Sequence, residues 1–208
     1  MESKDYLKDL SEIKDIMHKS TRFMSLSGLS GILAGIFSLI GAWRVHDIIY
    51  ATETPSKDAY KSIVIYELEM LQIVAIAIIV IILSMLAGIY FSWRKARKHN
   101  EKLWDAASKR LLINFLIPLV TGGFFILFLI EKEIYAFVAP LTLVFYGLAC
   151  VNASKYTLGY TRYLGITMII IGLLSVYYLG YGLYFWAFGF GVCHIVYGLL
   201  MYFKFDKS

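Results

Sequence analysis

One uninterrupted apolar run, from Tyr163 to Phe203, limits what this chain can fold into more than any other feature. As a single helix it would be about 60 Å long at about 1.5 Å per residue, twice the roughly 30 Å of bilayer hydrocarbon. It has to reverse direction, and Gly180-Tyr181-Gly182 is the turn signal within it. The run therefore reads as two membrane spans joined by a hairpin, Tyr163–Tyr181 and Leu183–Phe203.

The same window of about 20 apolar residues recurs four times upstream, at Phe23–Trp43, Leu71–Ser92, Leu111–Ile130 and Ile134–Asn152. Hydrophobic residues make up 59% of the chain and charged residues 17%, below the roughly 25% charged content of soluble domains. The expected fold is all-α: a polytopic membrane protein with one six-helix transmembrane domain over residues 22–208. The first span is too long for a signal-peptide core, and no small-x-small cleavage site follows it, so it reads as an uncleaved helix.

Charge sets the expected orientation. With both termini in the cytoplasm, sixteen Lys and Arg fall inside, and only Arg44, Lys57, Lys61 and Lys132 fall outside. That asymmetry follows the positive-inside rule. The net charge of +5 is then no sign of nucleic-acid binding. The Arg94-Lys95-Ala96-Arg97-Lys98 cluster abuts a span, where basic clusters meet anionic lipid headgroups. Asp47, Glu53, Asp58, Glu67, Glu69, Glu131 and Glu133 make the outer side acidic, with Glu67 and Glu69 as a candidate outer mouth.

Residues 1–21 read as a cytoplasmic amphipathic helix, with Tyr6, Leu10, Ile13 and Met17 on one face. It can lie on the inner leaflet or dock a cytoplasmic protein partner. In the first span, Ser27, Gly31 and Gly35 form a small-residue row for close helix packing, either within the bundle or in a homo-oligomer. Asn114, Pro118 and Gly122-Gly123 in the third span predict a kink, a feature that lines many transporter sites.

The candidate ligand-binding residues are His194, Tyr197, Tyr146 and Asn114. His194 sits near the middle of the last span, where an ionisable group is costly and marks a functional-site hypothesis. Tyr146 has a similar expected depth, and Tyr197 lies one turn from the histidine. Catalytic and cofactor signatures are absent from the sequence: no second histidine for a bis-His haem, no metal-ligand spacing, no G-x-S-x-G, no C-x-x-C and no phosphate-binding loop. The expectation is no catalytic residue, no metal and no cofactor.

The stretches SLSGLSGILAGIFSLIGAW and YFWAFGFGVCHIVYGLL resemble those of uncharacterised six-span inner-membrane proteins of Bacteroidota-type bacteria. The resemblance implies a bacterial inner-membrane location and carries no established activity or site residue. Two functions follow as expectations. One is small-molecule or ion binding and transport at an intramembrane site around His194. The other is a non-catalytic sensor or scaffold acting through the N-terminal helix and the basic 94–110 loop.

Overall fold

The structure, a computed structural model, describes residues 23, 26–51, 67–98, 104–157 and 159–206. The expected amphipathic helix at 1–21 and the side chain of Glu67 lie outside the described residues. All regular structure among the described residues is helical. Among the described residues, six helices are long and apolar enough to cross a membrane, which makes this a multi-pass membrane protein. Lipid offers no hydrogen-bond partners, so a spanning segment must satisfy its backbone within itself, as a helix does.

The helices are α1 (Gly28–Ala51), α2 (Glu67–Lys98), α3 (Ala106–Glu131), α4 (Val138–Ala153), α5 (Tyr160–Tyr177) and a composite α6. Helix α6 runs as α-helix over Gly182–Trp186, widens to a π-helix over Ala187–Cys193, returns to α-helix over His194–Met201 and ends in a π stretch at Tyr202–Asp206. Between α5 and α6 the chain reverses through Gly180 at φ 95°, a left-handed conformation that suits a residue without Cβ. Helix α1 starts five residues later than the expected first span and runs eight further, taking Arg44, His46 and Asp47 into the helix. Helix α2 likewise extends to Lys98. Charged ends do not stop a helix once it leaves the hydrocarbon, so apolar windows mark the membrane and not the helix ends.

The bundle divides into two groups. Helix α1 packs on α2 and on α6, while α4 packs on α3 and on α5. Helix α6 joins the groups, with α1 on one side and α4 and α5 on the other. The core lies at that junction: Leu143, Leu164, Met168 and Ile171 are buried, with Tyr146, Phe185, Phe190, Cys193 and Tyr197 packed around them. Helices α2 and α3 are peripheral and present long rows of Ile, Leu, Val and Phe outward.

Close backbone approach builds the two main seams. Between α1 and α6, a Cβ on Gly35 would lie 2.6 Å from the Gly191 carbonyl oxygen. Between α4 and α5, a Cβ on Gly147 would lie 2.6 Å from the Gly165 carbonyl oxygen. Dispersion between tightly fitted backbones is a principal attraction between helices in lipid, where the hydrophobic drive is missing. The Gly31 and Gly35 row is thus covered by α6 within the chain, and Ser27 is buried beside it.

A polar clamp closes the basic end of the bundle. Asp206, at the end of α6, accepts from the backbone N–H of Gly28 at 2.8 Å and from Ser27 Oγ at 3.0 Å. Its other carboxylate oxygen pairs with Lys95 Nζ of α2 at 2.7 Å, and Lys95 also donates to the Leu26 carbonyl at 3.0 Å. One carboxylate thus caps the start of α1 and ties it to the ends of α2 and α6. Lys95, read from sequence as part of a headgroup-binding cluster, is committed to this clamp, while Arg94, Arg97 and Lys98 stay exposed. Nearby, Phe23 N–H donates to the Tyr156 carbonyl at 2.8 Å and Thr157 Oγ1 donates to the Phe23 carbonyl at 3.0 Å.

Replacing Asp206 removes three acceptor contacts and leaves the largely buried Lys95 charge without its partner. Asp206→Leu is expected to destabilise by about 2 kcal/mol, less than the ~3–5 kcal/mol of breaking a fully buried pair. Asp206→Asn keeps an acceptor for Gly28 and Ser27 and is expected to cost about half as much. Thermal unfolding of both variants in one detergent checks this, and melting like wild type in both would contradict the clamp.

Candidate functional site

The π stretch at Ala187–Cys193 contains Gly189 and Gly191, and it precedes His194. Such a turn inserts an extra residue into the helix, and π turns often sit at functional sites. The wider turn sets the Gly189 carbonyl, five residues back, 3.1 Å from His194 Nδ1. On the other side of the ring, His194 Nε2 lies 2.8 Å from the Tyr146 hydroxyl of α4. His194 is 5% exposed.

The carbonyl contact assigns one proton, and burial of the ring in apolar surroundings favours the neutral form. A carbonyl oxygen can only accept, so Nδ1 carries the hydrogen and donates to Gly189. In a neutral imidazole Nε2 is then the acceptor, and the Tyr146 O–H donates to it. Both ring nitrogens are satisfied without charge, which is how an imidazole is accommodated in an apolar interior.

Aromatic rings enclose the pair. Phe190 stacks on His194 with centroids 5.6 Å apart and meets Tyr146 at 5.0 Å. Phe115 of α3 meets Tyr146 edge-on at 5.8 Å, and Trp186 lies 5.0 Å from Phe190. The Cys150 thiol, one turn along α4 and buried, neighbours the Tyr146 hydroxyl. Phenol, imidazole and thiol therefore meet in one apolar enclosure between α4 and α6.

The candidate residues do not all converge. Tyr197 pairs with Thr161 of α5, hydroxyl to hydroxyl at 2.9 Å. It lies on the same side of α6 as His194 but forms a separate link. A third link is Lys204 Nζ to the Tyr160 hydroxyl at 2.6 Å. His194, Tyr197 and Lys204 thus make a polar stripe down α6, facing α4 and α5, away from the glycine face that meets α1.

Asn114 plays a different part. Its side-chain amide donates to the Arg110 carbonyl of its own helix at 2.8 Å. Its backbone carbonyl is the one that Pro118, four residues on, cannot serve, because proline has no N–H. Asn152 Nδ2 of α4 fills that vacancy at 2.8 Å. Helix α3 runs through Pro118 as one element from Ala106 to Glu131, and Gly122 receives the Phe145 ring of α4. The proline thus supplies an attachment point for α4. Sequence held the signal, since a proline at i exposes the carbonyl at i−4, but the partner needed the fold.

Asp105 and Ser108 form a reciprocal capping box at the start of α3, with Ser108 N–H to Asp105 Oδ1 at 2.7 Å. Glu69 is half-buried on the first turns of α2. Among the described residues, no group of three or more His, Cys, Asp or Glu side chains is placed to hold a metal ion.

Comparison with known proteins finds no matching family model, no matching curated protein and no matching solved structure. What fold and site define together is a class: a six-helix, multi-pass membrane protein with a buried phenol–imidazole pair at the junction of its two helix groups.

Two expectations follow. Hydrogen bonds between membrane helices couple by about 0.6 kcal/mol on average and about 1.7 at most. A double-mutant cycle of Tyr146→Phe and His194→Leu, read by unfolding in mixed micelles, is expected near that upper value, because the pair lies in an apolar enclosure. Additive single effects would contradict the bond. Separately, Asn152→Leu orphans the Asn114 carbonyl and is expected to cost about 1–2 kcal/mol. Adding Pro118→Ala restores an internal N–H, so Asn152→Leu in that background is expected to be nearly neutral. Equal cost in both backgrounds would refute the assignment.

Proposed function

We propose that this protein binds, and moves across the membrane, a small polar molecule or ion at an intramembrane site centred on His194 and Tyr146, in the bacterial inner membrane. The observation that carries the reading is the 2.8 Å Tyr146–His194 hydrogen bond, buried where the two helix groups meet. An apolar pair would fill that space without the cost of burying polar groups. A hydroxyl and an imidazole can exchange partners, which apolar side chains cannot. A ligand with an adjacent donor and acceptor, such as an alcohol, amide or protonated acid, could insert between them. Its donor would bond Nε2 and its acceptor would accept a hydrogen bond from the Tyr146 O–H. The enclosed pair corresponds to the closed state of such a site, and parting α6 from α4 and α5 opens it. Tyr197 and Thr161 continue the polar path toward the basic end.

A second reading, the sensor or scaffold, is favoured by how tightly His194 is packed, with both nitrogens satisfied. There the pair only locks helices together. Function would then lie with the N-terminal segment 1–21 and the basic 94–110 loop, in which Arg94, Arg97 and Lys98 are exposed.

The readings separate on solvent access. In a Cys150→Ala, Cys193→Ala background, His194→Cys is treated in oriented vesicles with a membrane-impermeant thiol reagent applied from each side. Binding and transport predict labelling from at least one face as the seam opens. Full protection in protein that still elutes as a folded monodisperse peak would overturn that reading and leave the lock.

A further inference from the structure

The end of the bundle opposite the clamp holds a separate feature. Tyr178, Tyr181, Tyr184, Phe185 and Phe188 line an open groove of about 560 Å³ around the α5–α6 turn. Every lining side chain among the described residues is aromatic. Elsewhere the outward-facing surface is largely aliphatic, above all along α2 with its Ile, Leu and Val rows. A groove for a lipid tail needs no rings, and an interfacial aromatic belt spreads its rings around a bundle. Here five rings gather in one concavity, held by the Gly180 turn that brings Tyr178 and Tyr181 back toward Tyr184 and Phe185.

The rings are ordered relative to one another. Tyr178 and Phe185 lie nearly parallel, 15° apart in plane with centroids at 6.2 Å. Tyr181 and Tyr184 form a second pair at 6.3 Å. Tyr178, Tyr181, Tyr184 and Phe188 are each about half exposed, so ring surface faces the groove mouth and not only the core.

Aromatic faces carry partial negative charge and attract cations that shed water easily. Among the described residues, no cationic side chain lines the groove to compete for them. The surrounding charge agrees. Described residues at this end include Asp47, Glu69, Glu131 and Glu133 against Arg44 and Lys132, and Lys132 already lies 3.5 Å from Glu131. Asp47 follows His46, whose ring meets Tyr184 edge-on at 6.0 Å.

We propose that this groove binds a hydrophobic organic cation, of the quaternary ammonium or phosphonium class, on the faces of Tyr178, Tyr184 and Phe185. The site stands apart from the His194 pair and does not depend on its role.

Two ions of the same shape and opposite charge test it: tetraphenylphosphonium and tetraphenylborate. Equilibrium dialysis against the full chain in nanodiscs of zwitterionic lipid, with empty nanodiscs subtracted, measures each. Saturable binding of the phosphonium and none of the borate is expected. Tyr178→Leu with Tyr184→Leu removes two ring faces and is expected to weaken phosphonium binding about tenfold or more. Tyr178→Phe with Tyr184→Phe keeps the rings and is expected to stay within about twofold of wild type. Saturable borate binding equal to phosphonium, no saturable phosphonium binding, or leucine variants that bind like wild type would each overturn the proposal. The phenylalanine pair guards against a folding defect, since loss in both pairs would refute a role for the ring faces.

Discussion

A bilayer interior supplies no water to polar groups, and that rule governs this structure wherever the helical ladder is interrupted. Pro118 leaves the Asn114 carbonyl without its donor, and Asn152 reaches across from α4 to provide one. The start of α1 leaves the Gly28 N–H open, and Asp206 comes from the far end of the chain to accept it. The π stretch in α6 presents the Gly189 carbonyl to the His194 ring. In each case a local backbone irregularity becomes a contact between distant parts of the sequence or fixes a side chain that makes one. The irregularities thus join the glycine seams in specifying the tertiary arrangement of the apolar helices.

Helix α6 makes the arrangement possible because its sides differ. One presents Gly191 and Gly198, letting α1 approach to backbone contact. The other presents Phe190, His194, Tyr197 and Lys204 to α4 and α5. The glycine side gives a rigid seam, since a Cβ added at Gly35 would meet backbone. The polar side rests on three discrete hydrogen bonds, each of which can be exchanged for another partner.

Much of this was legible beforehand, for reasons that differ by residue. Six spans and the hairpin at Gly180 follow from bilayer thickness and helix rise, which hold for any apolar run. That His194 needs a partner follows from its depth, and Tyr146 at similar depth was a natural candidate. The sequence could not pair helices, so Asn114 read as a ligand residue when its carbonyl is a structural acceptor. Nor could it show that Lys95 leaves the basic cluster for Asp206, because charge patterning does not reveal which tail folds back. The π widening is not legible in the sequence, because helical periodicity presupposes a constant turn and two glycines alone do not announce an inserted residue.

Everything at the junction turns on a neutral His194, with its proton on Nδ1, between the Gly189 carbonyl and the Tyr146 hydroxyl. Solid-state ¹⁵N NMR of histidine-labelled protein in lipid bilayers reads this directly. His18, His46 and His99 would be replaced by glutamine to leave one signal pair. One protonated and one unprotonated ring nitrogen are expected, with the proton assigned to Nδ1 and the Nε2 shift moved by hydrogen bonding in a way that Tyr146→Phe abolishes. A proton on Nε2 alone, two protonated nitrogens, or a spectrum indifferent to Tyr146→Phe would contradict it.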